Sequence, residues 1–151
     1  YFRFIGERPD TRAIDTSKKW ISYAGWNTKF SNPIPLPMQR GIINDYCKKN
    51  DIKINDYQFE NEFLDWLPGL EKYITGYGVE GIVLCSIYCL PDDPFRRQSL
   101  LQLAVEHNVE LHFANEVCSV RDLDDVKHIQ RIFKFVNENT SPNETLGYDK
   151  V

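Results

Sequence analysis

The stretch that decides the fold is Gly81-Ile82-Val83-Leu84-Cys85-Ser86. It is apolar at almost every position, so it lacks the alternation of a strand with one solvated face. A run of this kind is typical of a central strand in a parallel sheet that helices cover on both faces. It therefore predicts a layered α/β domain.

Shorter apolar runs on either side predict the neighbouring strands. They are residues 20–24, 52–59 and 109–114, with 118–120 as a short fifth strand. Apolar residues at helical spacing predict four helices between and after them. The helices begin near Pro37, at Leu64 or Pro68, after Phe95 and after Asp122. Because parallel strands need right-handed crossovers, we predict a three-layer, flavodoxin-like fold with four to five mostly parallel strands in the order 2-1-3-4(-5).

The chain has 151 residues, of which 42% are hydrophobic and 13% aromatic. This composition fits one domain with a real core and argues against disorder. Residues 1–19 show no clear period and are predicted to form an N-terminal arm. Residues 20–137 are predicted to form the single α/β domain, and 138–151 a polar tail.

The net charge, the apolar runs and the cysteines restrict the classes of partner that we expect. The formal net charge of −4 makes the chain a poor candidate for binding the phosphates of a nucleic acid, so we expect no nucleic acid partner. No apolar stretch approaches the roughly 20 residues that cross a bilayer, and no signal peptide is visible, so we expect no membrane partner and a cytoplasmic location. The four cysteines form no Cys-x-x-Cys, so we expect reduced thiols and no metal.

Polar residues stand where the predicted strands end. They are Gly25-Trp26-Asn27, Glu60-Asn61, Ser86-Ile87-Tyr88 and Asn115-Glu116. Because the carboxyl ends of parallel strands line one crevice, we expect these side chains to converge. The sequence thus predicts a pocket for a small polar ligand.

Acid–base chemistry is assigned to Glu60 and Glu116, whose environments can differ enough to separate an acid from a base. Each glutamate has an alternative role as a helix cap or as a partner of Arg97. His112 is a further candidate base. Its alternative is a buried histidine with satisfied hydrogen bonds, because it faces away from Leu111 and Phe113.

Substrate binding is assigned to eight residues, chosen for their place at strand ends and helix starts. They are Trp26, Asn27, Gln39, Ser86, Tyr88, Arg96, Arg97 and Asn115. A guanidinium in the first turn of the third helix suits a phosphate or carboxylate. The alternative is that the arginine pair balances Asp92 and Asp93.

Several motifs are missing from the sequence. Ser86 lacks the Gly-x-Ser-x-Gly elbow of hydrolases, and no glycine-rich phosphate loop is present. A flavin phosphate needs a loop rich in Ser and Thr after the first strand, where only Thr28 and Ser31 are found. We therefore expect no cofactor.

The stretch from Ile21 to about Val136 resembles a family of bacterial proteins from sporadic carbohydrate biosynthesis clusters. The matching features are the Gly25 loop, Gln39, Asp45-Tyr46-Cys47, Phe59-Glu60, Gly81-Ile82-Val83, Leu90-Pro91-Asp92 with Arg96 or Arg97, and Leu111-His112-Phe113-Ala114 with Glu116. This resemblance implies a sugar or surface-polysaccharide context and no particular mechanism.

The layout is also similar, more distantly, to the catalytic domain of serine recombinases, which implies a resolvase-like fold. That family shows Tyr-x-Arg-Val-Ser near the first strand, with the serine as nucleophile. Aligning Tyr23 with its tyrosine puts Gly25 at the arginine and Asn27 at the serine. A carboxamide cannot form the phosphoserine link, so this resemblance implies the fold without the DNA chemistry.

Together these observations predict an enzyme of bacterial polysaccharide biosynthesis that acts on a sugar, sugar phosphate or nucleotide sugar. The alternative is a non-catalytic module on a recombinase-like scaffold that binds a ligand or partner. Aromatic residues in the arm and first loop leave a homodimer open.

Overall fold

The computed structural model describes residues 12–25, 35–59 and 68–139. Within them five strands form one sheet: β1 (Trp20–Ala24), β2 (Ile54–Phe59), β3 (Gly81–Leu84), β4 (Glu110–Phe113) and β5 (Cys118–Val120). The strand order is β2-β1-β3-β4-β5. The first four strands are parallel, and β5 runs antiparallel to β4. The predicted α/β fold and strand order are confirmed.

Four helices accompany the sheet in the described ranges: α1 (Leu36–Lys49), α2 (Pro68–Gly76), α3 (Pro94–Glu106) and α4 (Leu123–Asn139). α1 packs against β1 and β3, whereas α3 packs against β4 and against both neighbouring helices. None of these helices is both long enough and apolar enough to cross a membrane.

The strand β3 is central, as its apolar run predicts. All four of its residues are buried. It is two residues shorter than predicted because the chain turns after Leu84 into a single turn of 3-10 helix, Ile87–Cys89. Ser86 has extended backbone and caps that turn by accepting a hydrogen bond from the Tyr88 amide.

Gly81 permits the close approach of β1 to β3. A Cβ atom at this position would lie 2.4 Å from the ring of Trp20, which is fully buried. The indole nitrogen of Trp20 donates to the Asp15 carbonyl at 3.1 Å, so the ring also ties residues before β1 to the sheet. The glycine that opens the central strand is therefore required by packing.

Candidate functional site

A hydroxyl–carboxylate pair stands at the carboxyl end of β3. Ser86 Oγ donates to Glu116 Oε2 at 2.6 Å, and the Ile87 amide donates to Glu116 Oε1 at 2.9 Å. The Asn115 side chain adds a third bond to Glu116 at 3.2 Å. Short O–H···O⁻ bonds are typical of charge-assisted pairs. Glu116 thus joins the turn after β4 to the turn after β3.

Two more candidate residues belong to this cluster. The Asn115 amide donates to the Cys85 carbonyl at 2.8 Å, and the Tyr88 ring lies edge-on to Phe133 at 5.5 Å. Burial, with the charge of Glu116, raises the pKa of the Tyr88 phenol above its ordinary value. Ser86, Tyr88, Asn115 and Glu116 therefore meet at one rim of the sheet, where their sequence positions place them.

The pair is closed to a ligand in this conformation. Ser86 is only 4% exposed and is held by Glu116 and by the Tyr88 amide. A serine that donates to a carboxylate has the arrangement of an activated nucleophile. Here the same bonds cap a helical turn, which is the alternative role considered for Glu116.

Gln39 holds the carboxyl end of β1. Its Nε2 donates to the Gly25 carbonyl at 2.7 Å, and its Oε1 accepts from the Gly25 amide at 3.2 Å. The side chain is buried and replaces a strand partner for that residue. Gln39 thereby holds the backbone at the end of β1.

The two arginines of α3 point to different surroundings. Arg97 is buried, donates to the carbonyls of Pro91 and Asp92 at 2.9 and 3.0 Å, and stacks on the Phe133 ring at 3.7 Å. Burial lowers the pKa of its guanidinium, and neighbouring aspartates oppose that change. Arg96 is exposed and lies 3.9 Å from Asp93. The structure does not bring the pair together as one anion clamp.

Three predicted site residues, Glu60, Trp26 and Asn27, lie outside the described residues. The convergence of Glu60 with Glu116 therefore stays a prediction.

His112 belongs to a second cluster. Its Nδ1 lies 2.9 Å from the Tyr46 hydroxyl, and its Nε2 lies 2.9 Å from Glu110 Oε1. The imidazole is buried and contacts the Trp20 ring edge-on at 4.9 Å. His112 is thus a buried histidine with partners on both ring nitrogens, in a different cluster from Ser86 and Glu116.

Glu110 is the charged centre of this second cluster. It accepts from Lys18 Nζ at 2.8 Å, and Arg121 Nε lies 3.6 Å away. The hydrogen bond from His112 and the charges of Lys18 and Arg121 lower the pKa of Glu110 to about 2, against the opposing effect of burial. The carboxylate is therefore ionised at neutral pH and can only accept hydrogen bonds.

A cavity of about 440 Å³ adjoins this cluster. Its wall is made by residues before β1, the end of α1 and the ends of β5: Arg12, Ala13, Ile14, Thr16, Tyr46, Asn50, Asp51, Val117 and Arg121. Arg12 donates to Ser119 and Asp125, each at 3.2 Å, and Arg121 donates to the Ala13 carbonyl at 2.7 Å. These bonds fasten the residues before β1 over the β4–β5 face.

Sequence reasoning missed this second cluster, although one signal for it was present. Glu110 and His112 are two residues apart on a strand, so their side chains share a face. Tyr46 is 66 positions from His112. Nothing in the local pattern connects those two residues.

α4 carries three exposed cations on one side. Lys127, Arg131 and Lys134 follow the i, i+4, i+7 spacing of one helix face, and we call them the α4 basic stripe. None of the three forms an ion pair with any acidic residue whose side chain the structure describes. The described residues contain no group of three or more His, Cys, Asp or Glu arranged to hold a metal ion.

Comparison with solved structures shows the fold. Neither a protein-family model nor a curated protein matches this chain. The N-terminal catalytic domain of TP901-1 integrase superposes with a TM-score of 0.58 at 15% identity, covering 81% of this chain and 95% of that one. A resolvase-family site-specific recombinase from Streptococcus pneumoniae gives 0.54 at 14% identity, covering 86% and 95%.

A third neighbour is the C-terminal catalytic domain of ISC1926 TnpA, an IS607-like serine recombinase. Its TM-score is 0.51 at 12% identity, covering 85% of this chain and 92% of that one. Identities this low show a shared fold and no more. The predicted resemblance to serine recombinases is therefore confirmed for the fold.

The carbohydrate predictions are wrong. The three solved neighbours reported above are an integrase and two recombinases, and no finding supports the carbohydrate-cluster family, a polysaccharide enzyme or a sugar substrate. The expectation of no nucleic acid partner is contradicted by the same neighbours, because recombination is a reaction of DNA. Polar residues at strand ends occur in parallel α/β folds generally, so they did not discriminate a sugar site from any other.

Proposed function

We propose that this chain is a DNA-binding protein built on the fold of a serine-recombinase catalytic domain, and that it does not cut DNA by itself. The solved neighbours support a role in recombination. The observation that carries DNA contact is the α4 basic stripe.

The stripe has the chemistry that phosphate contact requires. Three cations lie on one face over about 10 Å of helix, at 1.5 Å per residue. They are exposed and have no acidic partner among the side chains that the structure describes, so binding a phosphate breaks no ion pair among those side chains. Lys and Arg contacts of this kind supply affinity without sequence information.

The net charge sets the strength of the interaction. A chain of charge −4 is repelled by the duplex overall, so the attraction has to come from local clusters of cations such as this stripe. We therefore expect weak, salt-sensitive binding, with dissociation constants in the non-specific range of roughly 10⁻⁴–10⁻⁶ M.

Two observations argue against strand cleavage. Matching Tyr23 to the tyrosine of the serine-recombinase motif puts Gly25 and Asn27 where that motif has arginine and the nucleophilic serine. Arg97 is turned towards the Pro91 and Asp92 carbonyls and the Phe133 ring, so it is committed to packing. Phosphoryl transfer depends on cations aimed at the reacting phosphate.

The test of binding uses a labelled duplex and fluorescence anisotropy. The variant K127Q/R131Q/K134Q should lose most of the affinity. The matched control K48Q/K49Q/K53Q removes the same charge from three other exposed lysines and should bind more tightly than the stripe variant. Equal losses in both variants would show that overall charge, and not α4, determines binding.

The test of cleavage looks for a covalent protein–DNA product. Supercoiled plasmid is incubated with the protein, quenched in detergent and separated by electrophoresis. We expect no covalent adduct and no relaxation of the plasmid. An adduct that is lost in Ser86→Ala would overturn this part of the proposal and identify Ser86 as a nucleophile.

The cytoplasmic location remains part of the proposal. Its support is that all four cysteines are free thiols and three of them are buried. Reduced thiols are typical of intracellular compartments.

A further inference from the structure

Phe95 is the most exposed large apolar side chain among those that the structure describes. It lies in the first turn of α3, and 81% of its surface is in contact with solvent. The other exposed large apolar side chains in the described ranges are between 44% and 60% exposed. A single exposed apolar residue is common on protein surfaces, so the surroundings of the ring decide what it can do.

The ring lies on the side of α3 that borders α4. Gln130 of α4 donates to the Pro94 carbonyl at 3.0 Å and to the Gln98 side chain at 3.2 Å. Phe95 directly follows Pro94, and it precedes Gln98 by three residues. Residues three apart share one helix face, so the Phe95 ring and the contact with α4 are neighbours.

The α4 basic stripe borders the same junction. Lys127 precedes Gln130 by three residues, and Lys134 follows it by four. Both spacings place side chains on one helix face, so these two cations flank the residue that contacts α3. The exposed ring and the stripe therefore belong to one continuous surface at the α3–α4 junction.

The aspartates before α3 do not cancel the charge of this surface. Asp93 accepts from the Arg96 amide at 3.3 Å, and its carboxylate lies 3.9 Å from the Arg96 guanidinium. Asp92 acts electrostatically on Arg97, whose pKa it raises against the effect of burial. The two aspartates thus have arginines beside them, whereas the stripe has no acidic partner among the described side chains.

An exposed aromatic ring beside a row of cations matches the chemistry of a nucleic acid strand with unpaired bases. The cations hold the phosphates, and the ring offers its face to a base. In a duplex the bases already stack on one another, so a surface ring does not reach their faces. A single strand leaves those faces open.

We infer that the surface formed by Phe95 and the α4 basic stripe binds single-stranded DNA in preference to duplex DNA. One base stacks on the Phe95 ring, and the stripe contacts the adjoining phosphates. This inference rests on the proposed DNA contact and adds to it the form of DNA that the protein prefers.

The probes are labelled oligothymidylate of about 12 nucleotides and an abasic strand of equal length, compared by fluorescence anisotropy at low salt. The abasic strand keeps the phosphates and lacks the bases. We expect the unmodified protein to bind oligothymidylate at least about fivefold more tightly, because stacking of one base contributes that much or more. Equal binding of the two strands would overturn the inference.

Variants at Phe95 separate stacking from general apolar contact. Phe95→Leu keeps an apolar side chain and removes the ring, so it should bind both strands with the affinity of the abasic strand. Phe95→Tyr keeps the ring and should retain the preference for oligothymidylate. The matched control Met38→Ala removes another exposed apolar side chain, on α1, and should also retain it.

The stripe variant K127Q/R131Q/K134Q distinguishes this inference from the proposed function. It should lose affinity for both strands. If it does, but Phe95→Leu still prefers oligothymidylate, stacking on Phe95 is refuted while the DNA contact of the stripe stands. If the stripe variant binds both strands as tightly as the unmodified protein, the proposed function fails, and this inference fails with it.

Discussion

Gln39 and Gly25 exchange two hydrogen bonds, at 2.7 and 3.2 Å, so that one side chain of α1 pairs with the backbone at the end of β1. The Gln39 side chain is buried, and the contact holds the backbone at the end of β1 in place.

Replacing Gln39 tests how much this pairing stabilises the fold. Gln39→Leu leaves the Gly25 amide and carbonyl without their partner, at about 1–3 kcal/mol for each buried group. We expect the free energy of unfolding in urea to fall by about 2–4 kcal/mol. Gln102→Leu, on an exposed face of α3, should change it by less than about 0.5 kcal/mol. A similar small effect at Gln39 would contradict the structural role.

The Ser86–Glu116 pair is expected to behave as a coupled unit. Either Ser86→Ala or Glu116→Gln should destabilise the protein by about 1–3 kcal/mol, because each removes a charge-assisted hydrogen bond between partly buried groups. The double variant should lose less free energy of unfolding than the two single variants lose together. The difference, which is the coupling energy of the pair, should be at least about 0.5 kcal/mol. Chemical denaturation of the four proteins measures this. Simple additivity would show that the 2.6 Å contact contributes nothing.

Gly81 and Gly41 form a matched pair of glycines. A Cβ at Gly81 would meet Trp20 at 2.4 Å, whereas nothing lies within 4 Å of one at Gly41 in α1. We expect Gly81→Ala to destabilise by at least about 2 kcal/mol through overpacking. Gly41→Ala should stabilise by up to about 1 kcal/mol, since alanine favours a helix interior. Thermal unfolding should therefore move in opposite directions for the two variants.

Glu110 makes the free energy of unfolding depend on pH. Its pKa is lowered from 4.5 to about 2 in the folded state, so the unfolded chain binds the proton more readily. The stabilisation is present above about pH 4.5 and is lost as the pH falls towards 2. It amounts to no more than about 3 kcal/mol.

Acid titration of unfolding, followed by circular dichroism, checks the contribution of Glu110. The Glu110→Gln variant should lose this part of the pH dependence. Glu106→Gln, at an exposed glutamate on α3, should keep it. Identical acid profiles for the two variants would assign the effect to other carboxylates.

The sequence predicted the fold well, because the physics that decides it is local. The apolar run of β3 and the helical spacing of its neighbours were enough for the layers and the strand order. The rim formed by Ser86 and Glu116 followed from the same topology.

The orientations and partners of individual side chains at the candidate site were not predicted, because no local sequence pattern encodes them. The Arg97 side chain is buried because its guanidinium stacks on the Phe133 ring and donates hydrogen bonds to two backbone carbonyls. Tyr46 meets His112 across 66 residues. The carbohydrate function failed because short motifs and strand-end polar residues recur among unrelated α/β proteins.

The central claim, that DNA contacts the α4 basic stripe, is tested most directly by the salt dependence of binding. Three phosphate contacts predict a slope of log affinity against log salt concentration of about −2.7, at −0.9 per contact. For K127Q/R131Q/K134Q we expect a slope near zero, while K48Q/K49Q/K53Q retains most of the original slope. A stripe variant that keeps the slope of the unmodified protein would contradict the account.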